Sequence, residues 1–190
     1  MIRETLVTTL SPDGRAHLAP MGVQTDGERL VLAPFRPSRS LDNLLRERCA
    51  VINYCDDVRV FAGCLTGRRT WPVCATEMIR GFRLQNALGH TEVVIETVEE
   101  DQTRPRLVCR TVFQAVHAGF SGFNRAQGAV IEAAILVSRL HMLPADKIDS
   151  EIEYLKIAID KTAGPREAEA WGWLMQAIAE HRSAARESGT

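Results

Sequence analysis

Two Asp-Gly pairs, in Ser11-Pro-Asp-Gly14 and Thr25-Asp-Gly-Glu28, limit how the first third of this chain can fold. Asp-Gly is the strongest short-range hairpin signal, because glycine takes up positive φ without steric cost and a tight turn between twisted strands needs it. The two turns separate Glu4–Leu10, Arg15–Val23 and Arg29–Phe35, three runs rich in β-branched and apolar residues. The expected result is a β-meander.

The segment that follows changes character within a few residues. Val31-Leu32-Ala33 is still strand-like, and Pro34 and Pro37 then stop the ladder. Ser40 is placed to cap a short helix whose apolar side is Leu41, Leu44 and Leu45, with Asp42, Arg46, Glu47 and Arg48 towards water. Arg36, Ser38, Arg39 and Ser40 bring guanidinium groups, hydroxyls and backbone amides to the start of that helix, which is the chemistry that binds a phosphate. A capped helix with solvated arginines explains the same residues without a ligand. Cys49–Tyr54 is apolar and β-branched again, and Arg59–Leu65 reads as strand continuing past an Asp56-Asp57 turn. Residues 66–72 read as a loop in which Arg68, Arg69 and Trp71 either hold an anionic or aromatic group or form an exposed basic turn. Thr91–Glu99 and Arg106–His117 are two further strands. Six or so hairpin-linked strands favour a barrel, which covers its own edges.

Strand character ends at Gly119. Asn124-Arg-Ala-Gln127 has the form of a capping box, followed by Val130, Ala133, Ala134, Val137 and Leu140 on one helical face. A second helix follows Pro144, with Ile148, Ile152, Leu155 and Ile159 in phase. After Gly164-Pro165 a third places Ala168, Trp171, Met175 and Ile178 together. The tail Arg186–Thr190 is expected to fray. Asn124 and Arg125, behind the glycines of Gly119-Phe-Ser-Gly-Phe123, put an amide and a guanidinium at a helix start, so an anion site competes with simple capping there.

A net charge of −1 removes any global attraction for nucleic acid or anionic membrane. No apolar run approaches membrane length, and Met1–Leu10 lacks the apolar core of a signal peptide, so a soluble cytoplasmic protein is expected. The cysteines, Cys49, Cys55, Cys64, Cys74 and Cys109, form no Cys-x-x-Cys pair, and His17, His90, His117, His141 and His181 stand apart in sequence. Neither set suggests a disulfide framework, and no metal site is expected.

Four blocks carry a family resemblance: RETLVTTLSPDGRAHLAPMGV, PFRPS with the later DNL, AVINYCDDVRVFA, and GFNRAQGAVIEAAILVSRLHML. In order and spacing, from Arg3 to Leu143, they resemble the DUF447 family of small FMN-binding proteins. The resemblance implies an α+β fold, an antiparallel split β-barrel that binds flavin over residues 1–120, with a C-terminal helical subdomain over 121–186 and a frayed 187–190. It implies FMN as cofactor. Arg36, Ser38, Ser40 and Asn43 are then the expected phosphate and ribityl contacts. Ala19, Pro20 and Met21, with Gly22, are expected to offer backbone contacts, His17 to line the flavin on the second strand, and Asn53 to reach the ring. Asn124 and Arg125 complete the expected set, and no catalytic residue is singled out. The expectation is a homodimeric FMN-binding flavoprotein and flavin-dependent oxidoreductase using NAD(P)H or another reduced carrier, with a small molecule as electron donor or acceptor. A non-enzymatic flavin carrier or pterin-pathway accessory protein of the same fold, and an interaction module with an empty barrel, are the alternatives.

Overall fold

A computed structural model of the chain describes residues 1–188. In chain order the elements are β1 (Ile2–Leu10), β2 (Ala16–Asp26), β3 (Arg29–Leu32), α1 (Arg39–Glu47), β4 (Cys49–Tyr54), α2 (Val58–Leu65), β5 (Val73–Ala75), β6 (Phe82–Leu84), β7 (Gly89–Glu99), β8 (Arg106–Val116), α3 (Arg125–Val137), α4 (Ala145–Thr162) and α5 (Pro165–Ser188). They form two compact units. One holds Met1–Cys55 and Thr70–Phe120; the other holds Asp56–Arg69 together with the chain from Ser121 onward.

The first unit is a closed antiparallel barrel in the order β1-β2-β3-β8-β7-β4. Both Asp-Gly turns form, with Gly14 and Gly27 at φ of 80° and 58°. Register is set by alternation: Val7, Met21, Val23, Leu32, Ala50, Ile52, Val93 and Ile95 share one buried cluster, to which α1 adds Leu41 and Leu44. The barrel is closed where β1 meets β4 through Leu6–Asn53, Val7–Ile52 and Thr8–Val51. Across β7 and β8 the register shifts twice, near Glu92/Val93 and Ile95/Thr97. Gly89 sits where β8 comes closest, since a Cβ there would lie 2.9 Å from the Ala115 carbonyl oxygen. The β5–β6 hairpin forms a separate two-stranded sheet, and β6 lies against β1 and β4.

The second unit is helical, and its core is Val58, Ala62, Val130, Ala133, Ala134, Ala170, Trp171 and Leu174. Arg59–Leu65, expected as strand, is therefore corrected to the body of α2. Val58, Phe61, Ala62 and Leu65 recur at helical spacing, and the Asp57 side chain caps the first turn by accepting from the Arg59 amide. Because α2 joins the helical unit, that unit takes residues 56–69 as well as the segment after 120. The helical phase of α5 also differs from expectation. Ala170, Trp171, Leu174 and Ile178 are buried, while Ala168 faces water. Gln127 does not complete a capping box: it donates to Glu167 Oε1 at 3.3 Å, and the Ala126 amide is shared between the Asn124 side chain at 2.8 Å and Thr162 Oγ1 at 3.1 Å. Helix α5 continues through Glu187 to Ser188, where fraying was expected; Gly189 and Thr190 lie outside the described residues. No helix of the described residues is long and apolar enough to cross a membrane.

Leu44 is fully buried on α1, whereas Leu45 on the same helix faces outward. Leu44→Ala is expected to cost about 2–5 kcal/mol in chemical denaturation, and Leu45→Ala about 0.5 kcal/mol.

Candidate functional site

The start of α1 carries Arg36, Ser38, Ser40 and Asn43 of the expected ligand groups, with His17 of β2 against Ser40. Pro37, joined to Arg36 by a cis peptide bond, precedes Ser38, whose extended backbone makes it the N-cap. Ser38 Oγ accepts from the Leu41 amide at 3.2 Å and the Ser38 carbonyl from the Asp42 amide at 3.1 Å. The cap is thus Ser38, not Ser40, because the helix begins one turn-position earlier than the apolar pattern suggests. That geometry leaves the Arg39 and Ser40 amides as donors at the positive end of the helix dipole. Ser40 is turned towards the barrel, and its Oγ lies 3.2 Å from His17 Nε2 on β2. A hydroxyl that accepts from an imidazole N–H still has its own proton to donate.

Asn43, one turn further on, is buried and engaged within the protein. It donates to Thr9 Oγ1 at 3.0 Å and accepts from Arg46 at 3.0 Å, and Arg46 also reaches the Leu10 carbonyl. It shapes the wall behind Ser40. Arg36 extends to the surface and pairs with Glu100 at 3.0 Å. Both partners of that pair are well exposed, so their mutual hold is weak and exchange for another anion is inexpensive. Arg104 lies over the Phe35 ring at 4.8 Å and donates to the Ala33 carbonyl. His17, Ser38, Ser40 and Asn43 therefore converge, with Arg36 and Arg39 beside them.

The remaining expected residues are carried by β2, β4 and the start of α3. Ala19 and Pro20 are half-buried on β2, and Met21 belongs to the barrel core. Asn53, fully buried on β4, donates to the Leu6 carbonyl and Thr8 Oγ1, both at 2.9 Å, and its Oδ1 accepts from the Leu84 amide at 2.7 Å. Its polar groups bind three strands together. In the helical unit, Asn124 caps α3 and donates to the Thr162 carbonyl at 3.0 Å, while Arg125 is exposed.

A second polar cluster was not anticipated. His90 and Glu92 occupy alternate positions of β7 and so share a face; the side chain of Glu92 is fully buried and that of His90 nearly so. Glu92 accepts from three successive backbone amides, Glu77 at 2.7 Å, Met78 at 2.8 Å and Ile79 at 3.0 Å, and its Oε1 lies 3.3 Å from His90 Nε2. His90 Nδ1 is 2.9 Å from His117 Nε2, beyond the end of β8, and the two ring planes lie within 10° of each other with centroids 5.1 Å apart, so the contact runs edge to edge. Burial opposes ionisation of Glu92, but the amides of Glu77, Met78 and Ile79, with His90, outweigh it and hold the carboxyl below its ordinary value. The only local signal is the His-x-Glu alternation in a strand; the amide cradle and His117 come from distant segments.

The sequence matches the family described as Protein of unknown function (DUF447), its N-terminal domain over residues 3–118 and its C-terminal part over residues 124–176. Among solved structures, an FMN-bound protein of Methanosarcina mazei assigned to that family is similar over 93% of this chain and 94% of its own, at TM-score 0.82 and 19% identity. The 2-nitrobenzoate 2-nitroreductase of Pseudomonas fluorescens is similar over 60% of this chain and 64% of its own, at TM-score 0.51 and 16% identity. The styrene monooxygenase flavin reductase of Pseudomonas putida is similar over 60% and 81%, at TM-score 0.51 and 13% identity. These similarities establish the split-barrel fold. No curated protein matches the sequence.

Because the folded Glu92 carboxyl lies below its ordinary value of 4.5, its ionisation stabilises the fold above that pH and the contribution is lost as pH falls through the folded pKa. Glu92→Gln is expected to cost about 1.5–3 kcal/mol at pH 7, and the gap between the denaturation curves of the two proteins should narrow only as pH falls below 4.5 and through the folded pKa.

Proposed function

This chain belongs to the DUF447 family, and on that premise we propose that it is a flavoprotein that holds FMN at the α1 end of its barrel and serves as a flavin-dependent oxidoreductase. The observation that carries the reading is the match of both units to an FMN-bound family member across nearly the whole chain, together with the donor set at the start of α1. That donor set fits a phosphate. The Arg39 and Ser40 amides, the Ser40 hydroxyl and the Arg36 and Arg39 guanidinium groups would hold it, with His17 orienting the Ser40 proton. Ala19 and Pro20 offer half-buried strand backbone for the rest of the cofactor, and Asn43 and Asn53 act by fixing the wall and the strands.

FMN held there by the α1 donors would supply two-electron hydride-transfer chemistry. The chain's part is to bind the phosphate, exclude water and keep β1, β2 and β4 in fixed register. NAD(P)H or another reduced carrier is the proposed electron source and a small molecule the acceptor. The flavin reductase and nitroreductase with the same barrel support this choice of reaction class. A homodimer acting in the cytoplasm completes the proposal.

Titration of the purified chain with FMN is expected to give saturable stoichiometric binding and a visible flavin spectrum, followed by bleaching on anaerobic addition of NADH or NADPH. Absence of FMN binding overturns the flavoprotein reading. Binding without bleaching by any reduced carrier favours a flavin carrier over an oxidoreductase. Arg36→Ala with Ser40→Ala is expected to weaken FMN by about 1.5–3 kcal/mol per lost charge-assisted bond, and unchanged affinity places the phosphate elsewhere.

A further inference from the structure

The second cluster has an internal logic of protons. Glu92, held ionised in its amide cradle, accepts only, so the proton between it and His90 belongs to His90 Nε2. When His90 is neutral its Nδ1 carries a lone pair, and His117 Nε2 is then the donor across the 2.9 Å contact. Neutral His117 is left with a lone pair on Nδ1, and its side chain is exposed at the end of β8. The order of the three groups thus fixes a proton acceptor at the surface, with a buried negative charge two side chains behind it.

We propose that His117 is a proton-exchange residue whose tautomer and basicity are set by a relay through His90 to Glu92, and that it serves a reactant presenting an acidic O–H or a developing oxyanion. In the forward direction the reactant's O–H bond breaks, an Nδ1–H bond forms, and the positive charge on the hydrogen-bonded imidazole pair is countered by Glu92. The reverse step donates the proton to an oxyanion. Charged groups facing His117 are Arg83 of β6 and, through His90, Glu92 of β7. Burial, Arg83 and His90 together hold the His117 pKa below its ordinary value, so it is chiefly neutral at pH 7. An oxyanion beside Arg83 offsets that cation and draws the proton onto the pair. Arg83 is anchored for this by bonds to the Leu84 and Gln85 carbonyls. The proposal rests on the oxidoreductase reading, because two-electron reduction of a carbonyl-like group moves protons as well as electrons; His117 would touch the reactant, while His90 and Glu92 are positioning residues.

The test separates the two readings. Long-range nitrogen–proton NMR of the 15N-histidine-labelled full chain, without FMN at pH 8, is expected to show both His90 and His117 as Nε2–H tautomers. In Glu92→Gln the amide donates to His90 Nε2, and both rings are expected to switch to Nδ1–H. Tautomers that ignore the substitution overturn the relay, whether or not FMN binds. Since Glu92→Gln disturbs a buried site, the exposed His117→Ala provides a second readout. It is expected to leave FMN affinity unchanged, to slow reduction of a carbonyl or nitro acceptor about 100-fold, and to flatten the pH profile of that step. An unchanged rate and profile overturn the role of His117 in proton exchange.

Discussion

The barrel depends on a short closure. Only three residue pairs join β1 to β4, and without them the other five pairings would leave an open, curved sheet with two exposed edges. Asn53 reinforces that seam with side-chain bonds to the Leu6 carbonyl and Thr8 Oγ1, while its oxygen takes the amide of Leu84. A buried amide whose donor and acceptor sides are both satisfied specifies one register, since a one-residue slip would strand these groups away from water. The wall on which His17, Ser40 and Asn43 meet is built from β1, β2 and α1, and stays in place because the seam holds.

Two polar sites of different kinds follow from this frame. At the start of α1, donors converge on a half-exposed position, and the groups behind them are locked by Thr9 and Arg46. On β7, charge is carried inward instead: a carboxylate is buried outright, compensated by three amides of one turn and linked through one imidazole to another at the surface. The first arrangement suits holding an anion; the second suits setting the protonation state of a side chain without moving it. Close packing at Gly89 keeps β7 and β8 near enough for the two imidazoles to meet edge to edge.

Local signals were readable from the residues and long-range ones were not. The Asp-Gly turns, β4 and the three C-terminal helices follow from short-range chemistry, and the polar groups at the start of α1 from composition around Pro37. Helix α2 was misread because Arg59-Val-Phe-Ala alternates like a strand, and its helical partners, Val130 and Leu174, lie far along the chain. Ser40 was placed as the cap by the phase of Leu41 and Leu44, whereas the backbone turns into helix already at Ser38. The bond that Asn53 makes to the Leu84 amide depends on β6, a strand too short to show in sequence. The three histidine and glutamate positions are scattered until register brings them into line.

The passage of residues 56–69 out of the barrel and back has a consequence for how such a chain can be taken apart. A helical annex fused after residue 120 would be separable by a single cut. Here the same cut would strip α2 of α3 and α5, baring Val58 and Ala62 on a loop between β4 and β5. The chain path interleaves the two units rather than stringing them, so a truncation that removes the helical unit of this chain must also replace α2.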